Sequence, residues 1–308
     1  MSALFTSALA ASAEAASGQH YPQGTLYVVA TPIGNLADIS LRALYVLGLV
    51  DAIACEDTRH TQALLRAYGI DKNAKQLIAV HQHNEAQAAS TVIDHLRQGQ
   101  RVAYVSDAGT PGISDPGARL VAALQHQQLR CIPLPGPSSV TTVLSAAGLV
   151  EDHPGGFVFS GFLPSKTGER DRAVVALAAE TRAVVLLEAP HRIEALALAL
   201  TSLGSRLVTV GRELTKQFEE IATMAASELP TWLAADANRL RGEFALVLHP
   251  MPPSTETTQD TRILKLLLAQ LPLKTAVKLA ADITGEPRNA LYEVALTLKG
   301  AKEVGSEG

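Results

Sequence analysis

The sequence is poor in the residues that would indicate a disulfide scaffold, a membrane span or a polyanion-coating surface. Its only two cysteines, Cys55 and Cys131, lie in or beside apolar runs, which predicts buried reduced thiols and a cytoplasmic protein. Glycine, proline or charge interrupts every apolar run, so none is long enough to cross a bilayer. The net charge of −4 excludes nucleic-acid coating by bulk positive charge, and any nucleic-acid contact therefore requires a local basic surface.

Familiar site motifs are absent as well. The chain lacks the Gly-x-x-x-x-Gly-Lys-Ser/Thr loop that cradles nucleotide phosphates. Residues 31–35 (Thr-Pro-Ile-Gly-Asn) stand where a dinucleotide-binding Gly-x-Gly-x-x-Gly would follow the first strand. No Cys/His cluster has zinc-ligand spacing, and His81 and His83 have no third ligand nearby, so no metal is expected.

The most informative segment that is present runs from Tyr104 to Gly117. It contains three glycines, two prolines, two aspartates, two serines and a threonine, and it follows the apolar run 101–105. Glycines permit close backbone approach to a ligand, while prolines restrict the movement of the loop. Such a loop at the carboxyl end of a buried strand predicts a ligand site, because open α/β sheets bind ligands there.

Strand-like and helix-like segments alternate from Thr25 onwards, which predicts a largely parallel α/β sheet over residues 24–150. Asp38 is a candidate cap for the first helix, and Gly69 for the end of a helix over 58–68. The Ala/Ser-rich residues 1–23 have no basic targeting pattern and are expected to form a disordered extension.

A second α/β set is expected over residues 151–250, entered through a linker at 151–156. Residues 251–260 then read as a linker, and 301–308 as a tail. Residues 261–300 contain only helical patterns, interrupted at 285–287, which predicts a helix-turn-helix-like module. A bundle cap or a dimerisation element would give the same pattern, and balanced charge does not by itself make the segment a nucleic-acid binder.

Six short motifs together carry a family resemblance. The chain resembles the tetrapyrrole-methylase superfamily, and within it the bacterial methyltransferases that act on a ribose 2′-oxygen of small-subunit ribosomal RNA. The likeness runs from about Gly24 to Leu298. The motifs are the glycine loop and residues 30–36, 55–59, 135–139, 189–192 and 241–244.

This resemblance implies a two-domain α/β (class III methyltransferase) fold with S-adenosylmethionine in the interdomain cleft, followed by a small all-α module. It implies 2′-O-methylation of a cytidine in the decoding region of 16S rRNA by a homodimeric cytoplasmic enzyme. Carried over by position, it implies these cofactor contacts: Pro32, Ser106, Asp107, Ala108, Ile113, Ser138, Ser139, Glu188 and Leu214.

Methyl transfer to a hydroxyl requires alignment of the oxygen with the methyl group and assistance with loss of the proton. Lys166 and Glu188 are the candidates for the proton acceptor. Cations at the start of a helix oppose its dipole, which favours a phosphate-binding role for Lys166 and Arg170. The candidate RNA contacts are Arg59, Lys166, Arg170, Arg192 and Lys216.

Two other functions fit the same sequence. One is methylation of a tetrapyrrole or a similar small molecule on the same fold, which the helical C-terminal module disfavours. The other is a non-catalytic RNA-binding or ribosome-assembly protein that retains an inactive cofactor site. The complete glycine loop disfavours that alternative, and a measurement of cofactor binding would distinguish an inactive cofactor site from a working one.

Overall fold

The computed structural model describes residues 5–81, 83–149, 156–251 and 258–303. The chain divides into two compact units, residues 1–250 and 251–308. Within the described ranges, no helix combines the length and the apolar character that spanning a bilayer requires. The predicted linker at 151–156 lies outside the described residues except for Gly156, as do residues 252–257 of the second predicted linker.

The first half of unit 1 is a five-stranded sheet in the order β3-β2-β4-β1-β5, with every pair parallel. Its strands are β1 (Thr25–Val29), β2 (Ala52–Cys55), β3 (Leu77–Ala79), β4 (Val102–Val105) and β5 (Arg130–Leu134). The helices of this half are α1 (Thr6–Ala16), α2 (Leu41–Leu49), α3 (Thr58–Tyr68), α4 (Glu85–Arg97), α5 (Gly117–His126) and α6 (Ser139–Ala146).

The central strands β2 and β4 are buried at every residue, since helices pack on both faces of the sheet. The strand order reverses direction between β1 and β4, which opens a crevice at their carboxyl ends. The glycine loop follows β4 and therefore lies at this crevice.

The second half of unit 1 is a mixed five-stranded sheet in the order β6-β7-β10-β8-β9. Only β6 and β7 pair in parallel, whereas β10 is antiparallel to β7 and β8, and β9 to β8. Its strands are β6 (Phe157–Gly161), β7 (Ala183–Glu188), β8 (Leu207–Arg212), β9 (Glu220–Ala225) and β10 (Phe244–Leu248). Its helices are α7 (Thr167–Ala178), α8 (Ile193–Leu200) and α9 (Leu229–Ala234). Short 3-10 turns occur at Leu36–Asp38, Ala74–Gln76, Thr201–Leu203, Ala226–Glu228 and Ala237–Leu240.

Residues 1–23 were predicted to be disordered, but the structure contains helix α1 within this range. Alanine has the highest helix propensity, and this segment is rich in it. The Phe5 ring lies 5.1 Å from the Tyr68 ring, and Ala8 and Leu9 pack against the same core. The few apolar side chains of this segment did not predict a buried element. They nevertheless order the helix, because they pack on α2 and α3.

Helix termini show one agreement and one correction. Gly69 caps α3 in the left-handed conformation, with φ of 76°, as predicted. Asp38, however, lies in a 3-10 turn, and Ser40 caps α2 by accepting from the backbone N–H of Ala43. Both residues are favoured at helix starts, so the sequence pattern did not separate two caps placed two positions apart.

Unit 2 consists of three helices in its described part, α10 (Thr258–Leu268), α11 (Leu273–Thr284) and α12 (Arg288–Glu303). Gly285 ends α11 in the left-handed conformation, with φ of 79°, which produces the predicted break. The three helices enclose a small apolar core of their own: Leu264, Val277, Ala280, Ala281, Leu291 and Ala295.

Candidate active site

Hydrogen bonds hold the glycine loop against the end of β1. Thr31 and Gly109 exchange backbone hydrogen bonds of 3.0 Å in each direction, and the Thr31 hydroxyl donates to the carbonyl of Ser106 (3.2 Å). The Thr110 hydroxyl donates to the Pro137 carbonyl after β5 (2.9 Å). The loop is thus fixed to the segments that follow β1 and β5, and its backbone can contact a ligand at the crevice.

Asp115 braces the loop from within. Its Oδ1 accepts from the Tyr104 hydroxyl at 2.9 Å and from the backbone N–H of Gly117 at 2.8 Å, and its Oδ2 accepts from Gly112 N–H at 2.7 Å. A Cβ at Gly117 would lie 2.2 Å from Tyr104 Cε1, so only glycine fits there. This turn therefore needs a glycine at 117 and a carboxylate at 115.

Beside this loop lies a cavity of about 470 Å³, of the size that small-molecule sites occupy. Both α/β halves of unit 1 contribute to its walls. From the first half come Ile33, Glu56, Ser106 to Thr110, Ile113 to Asp115 and Ser138 to Val140. From the second half come Phe162, Leu187 to Pro190, Gly211, Leu214 and Glu243 to Ala245.

The structure brings eight of the nine predicted cofactor residues to this cavity. They are Ser106, Asp107, Ala108, Ile113, Ser138, Ser139, Glu188 and Leu214. The ninth, Pro32, is buried in the loop after β1 and is not among the lining residues, whereas its neighbour Ile33 is. Pro32 therefore stays a prediction, and Ile33 is the residue of this loop that lines the cavity.

The charged side chains that line the cavity are acidic. Among the described residues that line the cavity, five are Asp or Glu and none is Lys, Arg or His. The carboxylates are Glu56, Asp107, Asp115, Glu188 and Glu243. Such a wall attracts a cationic ligand and repels phosphates.

Glu188, the last residue of β7, is the most buried of these carboxylates, with 1% of its side chain exposed. Its Oε1 accepts from the backbone N–H of Ala189 at 2.9 Å and lies 3.0 Å from Arg192 Nε. Its Oε2 has no hydrogen-bond partner among the described residues. A buried carboxylate oxygen without a partner is costly, so a donor from a ligand in the cavity would satisfy it.

Glu56 and Asp107 meet at the carboxyl ends of β2 and β4. Asp107 Oδ1 accepts from the backbone N–H of Asp57 at 3.2 Å, which ties the two loops together. Burial raises the pKa of Glu56, and the negative charges of Asp107 and Asp115 raise it further. Its pKa therefore responds to any cation that enters the cavity.

The structure separates the two candidate proton acceptors. Glu188 lines the cavity, whereas Lys166 does not; Lys166 precedes α7, with 80% of its side chain exposed and Nζ 3.4 Å from Glu169. Lys166 follows the lining residue Phe162 by four positions.

The five candidate RNA contacts differ in exposure. Arg59 and Lys166 are exposed, although Arg59 also pairs with Asp57 at 2.8 Å. The other three have internal partners. Arg170 is buried and donates to Ser165 O, Arg192 contacts Glu188 and Leu163 O, and Lys216 pairs with Glu213 and Glu243.

Several lining residues were not predicted as ligand contacts by the sequence analysis, among them Glu56, Asp115, Phe162 and Glu243. Glu56, Asp115 and Glu243 lie inside the motifs at 55–59, 104–117 and 241–244, so membership of a motif was an available signal. Phe162 is half-exposed beside the cavity, and only the pairing of the two halves shows that it borders the site. In the described part of the chain, no cluster of three or more His, Cys, Asp or Glu is placed to hold a metal ion.

Comparison with known proteins identifies both parts of the chain. Residues 25–230 match the family model "Tetrapyrrole (Corrin/Porphyrin) Methylases", and residues 254–299 match "RsmI C-terminal HTH domain". The second match agrees with the predicted helix-turn-helix-like module.

Two curated relatives align over most of the chain, and both are named ribosomal RNA small subunit methyltransferase I. The protein from Escherichia coli O157:H7 is 48% identical over 90% of this chain and 96% of its own length. The protein from Neisseria meningitidis serogroup A is 45% identical over 90% of this chain and 94% of its own.

Among solved structures, a cobalt precorrin-4 methyltransferase of cobalamin biosynthesis shares the fold. Its TM-score is 0.55 at 18% identity, over 74% of this chain and 98% of its own. The methylase model covers more than half of the sequence, and close relatives cover nearly all of it. The chain therefore belongs to the tetrapyrrole methylase family, within the group of ribosomal RNA small subunit methyltransferases I.

Proposed function

We propose that this protein transfers a methyl group from S-adenosylmethionine to the ribose 2′-oxygen of a cytidine in 16S rRNA of the small ribosomal subunit. Its relatives are named for methylation of small-subunit ribosomal RNA. The cytidine, the 2′-oxygen and the decoding region are the finer parts of the proposal, and they rest on the family resemblance of the motifs.

The acidic cavity is the observation that carries the cofactor assignment. S-adenosylmethionine combines a sulfonium, an ammonium and one carboxylate, so it is cationic overall at neutral pH. A lining with five carboxylates and no described basic side chain suits that charge and disfavours a phosphate-bearing nucleotide. Glu188 Oε2 is the acceptor best placed for a cofactor hydroxyl or amino group, because it is buried without a partner.

When bound, the cofactor supplies an electrophilic methyl group for in-line displacement. The chain's part is to hold the two reactants in register, which lowers the barrier by several kcal/mol or more. The loops after β1 and β4 position one reactant through backbone groups fixed by the Thr31–Gly109 pair. Lys166 and Glu188 are the candidates to accept the hydroxyl proton, a role worth about 10²–10⁴-fold in rate.

Recognition of RNA in this proposal relies on bases and on local cations. Phe162 and Ile113 border the cavity with 50% and 45% of their surfaces exposed, so either can pack against an unstacked base. Arg59 and Lys166 provide exposed cations for phosphates. In this proposal the surrounding loops are stabilised by Arg170, Arg192 and Lys216, since each of these side chains has an internal partner.

The proposal includes a homodimer acting in the cytoplasm on ribosomal subunits, as the family resemblance implies. Two copies would enlarge the basic surface that a monomer of net charge −4 lacks. Sedimentation of the purified protein at micromolar concentration tests this part, and a purely monomeric profile would contradict it.

The deciding experiment measures methyl transfer from labelled S-adenosylmethionine to small subunits from cells that lack this protein. The modified nucleotide is mapped by its resistance to alkaline cleavage. Label on one cytidine ribose, absent with Asp107→Ala, supports the proposal. Cofactor binding without RNA labelling would favour a small-molecule methylase, and absence of both would favour a non-catalytic binder.

A further inference from the structure

A second cavity, of about 700 Å³, lies next to the cofactor cavity in the same unit. The segments 211–214 and 242–243 separate the two. Gly211, Leu214 and Glu243 line the first cavity, whereas Arg212, Glu213 and Gly242 line the second. The remaining walls of the second cavity are Gln217 to Glu220, Asp236, Asn238 and Arg241.

We infer that this second cavity binds a nucleotide of single-stranded RNA that flanks the methylated residue, with its base on Phe218 and its phosphate at Arg241. The inference rests on the proposed function, because it assigns a subsite for the same substrate. The second cavity differs from the cofactor cavity in the chemistry of its walls, because two arginines line it.

Phe218 is the first observation in its favour. With 70% of its surface exposed, it is the most exposed of the large apolar side chains among the described residues. Arg212, which is 6% exposed, donates from Nη1 to the Phe218 carbonyl at 3.0 Å and so fixes the loop that presents the ring. An exposed aromatic ring on an anchored loop is a platform on which proteins stack unpaired bases.

The charges of the cavity are the second observation. Four carboxylates line it, but each already accepts a hydrogen bond: Glu213 from Lys216, Glu220 from Arg239, Glu219 from Thr215 N–H and Asp236 from Asn238 N–H. In contrast, the exposed Arg241 side chain forms no hydrogen bond or ion pair among the described residues. The Nε of buried Arg212 also lacks a partner among them. Arg241 is therefore an exposed cation of this cavity without a partner among the described residues, and a free guanidinium suits a phosphate oxygen.

The spacing across the sheet is the third observation. Glu188, Phe244, Arg212 and Glu220 lie opposite one another on neighbouring strands. With about 4.8 Å between strands, Arg212 lies about 10 Å and Glu220 about 14 Å from Glu188 along this row. A short single-stranded segment spans that distance, so one RNA strand can occupy both sites.

The test compares Phe218→Ala and Arg241→Ala with the wild type for binding to small subunits that lack the modification. Both variants should bind these subunits roughly tenfold more weakly, as loss of one stacked base or one charged contact predicts. Arg241→Ala should also reduce the slope of log affinity against log salt by about 0.7, whereas Phe218→Ala should leave that slope unchanged. Phe218→Trp should retain binding, and the cofactor affinity of all variants should equal that of the wild type.

Phe157→Ala is the matched control, because Phe157 is 46% exposed on β6, at the opposite edge of the same sheet. Unchanged subunit binding by both test variants, alongside an active wild type, would overturn the subsite. So would conversion of a wild-type dimer to a monomer by Phe218→Ala, since the ring would then be a subunit contact. An inactive wild type would instead refute the proposed function itself.

Discussion

Glu188→Gln tests the assignment of the cofactor cavity most directly. Glutamine keeps the size of the side chain and the acceptor for Ala189 N–H, but it removes the charge and turns one oxygen into a donor. Because Oε2 is buried and has no partner among the described residues, it should accept a charge-assisted or strong hydrogen bond only when the cofactor is bound.

The expected magnitude follows from that contact. A hydrogen bond to a charged group contributes about 1.5–3 kcal/mol, so the dissociation constant should rise roughly 30-fold. At a concentration of 100 times the wild-type constant, the cofactor stabilises the wild type by about 2.7 kcal/mol but the variant by only about 0.9 kcal/mol. For a unit of this size the gain in melting temperature on adding cofactor should shrink by about 4–8 °C.

Calorimetry and thermal unfolding, each with and without S-adenosylmethionine, measure the two quantities. Glu180→Gln is the matched control, since its carboxylate pairs with Arg182 at 2.8 Å outside the cavity, and that pairing lowers the pKa of Glu180 to about 2. The control should retain the full cofactor-induced shift. A wild-type dissociation constant in Glu188→Gln would refute the view that Oε2 faces the bound cofactor.

Three further predictions concern the same region. Because burial, and then nearby carboxylates, raise the pKa of Glu56, acidification from about pH 7 to pH 5 should remove negative charge from the cavity and weaken calorimetric cofactor binding. Glu56→Gln should flatten that dependence, and an equally steep profile in the variant would contradict the assignment. Gly117→Ala, whose Cβ would meet Tyr104 at 2.2 Å, should lower the free energy of unfolding in urea by about 1–3 kcal/mol, while Gly18→Ala, with open space around it, should not. Lys166→Ala should slow single-turnover methylation about 10²–10⁴-fold at unchanged cofactor affinity, and an unchanged rate would exclude Lys166 as proton acceptor.

Local patterns in the sequence were sufficient to locate most elements. Most strands, such as β2 and β10, coincide with apolar runs between charged or polar residues, and Gly69 and Gly285 end helices as expected. These signals are local, because burial and capping depend on residues a few positions apart. Helix α1 was missed for the opposite reason, since its order comes from contacts with Tyr68, which lies more than fifty residues away in the sequence.

The sequence by itself determined the alternation of strands and helices, the glycine loop and, through its motifs, the family. Only the tertiary structure decided the composition of the site. The motifs already placed Ser106 and Glu188 in one cleft, but only the fold shows that this cavity is lined by five carboxylates and by no described basic side chain. The same holds for Arg170 and Lys216, whose charge suggested RNA contact but whose internal partners follow from packing. Which charges face a ligand depends on contacts between distant segments, and such contacts are set by the fold as a whole.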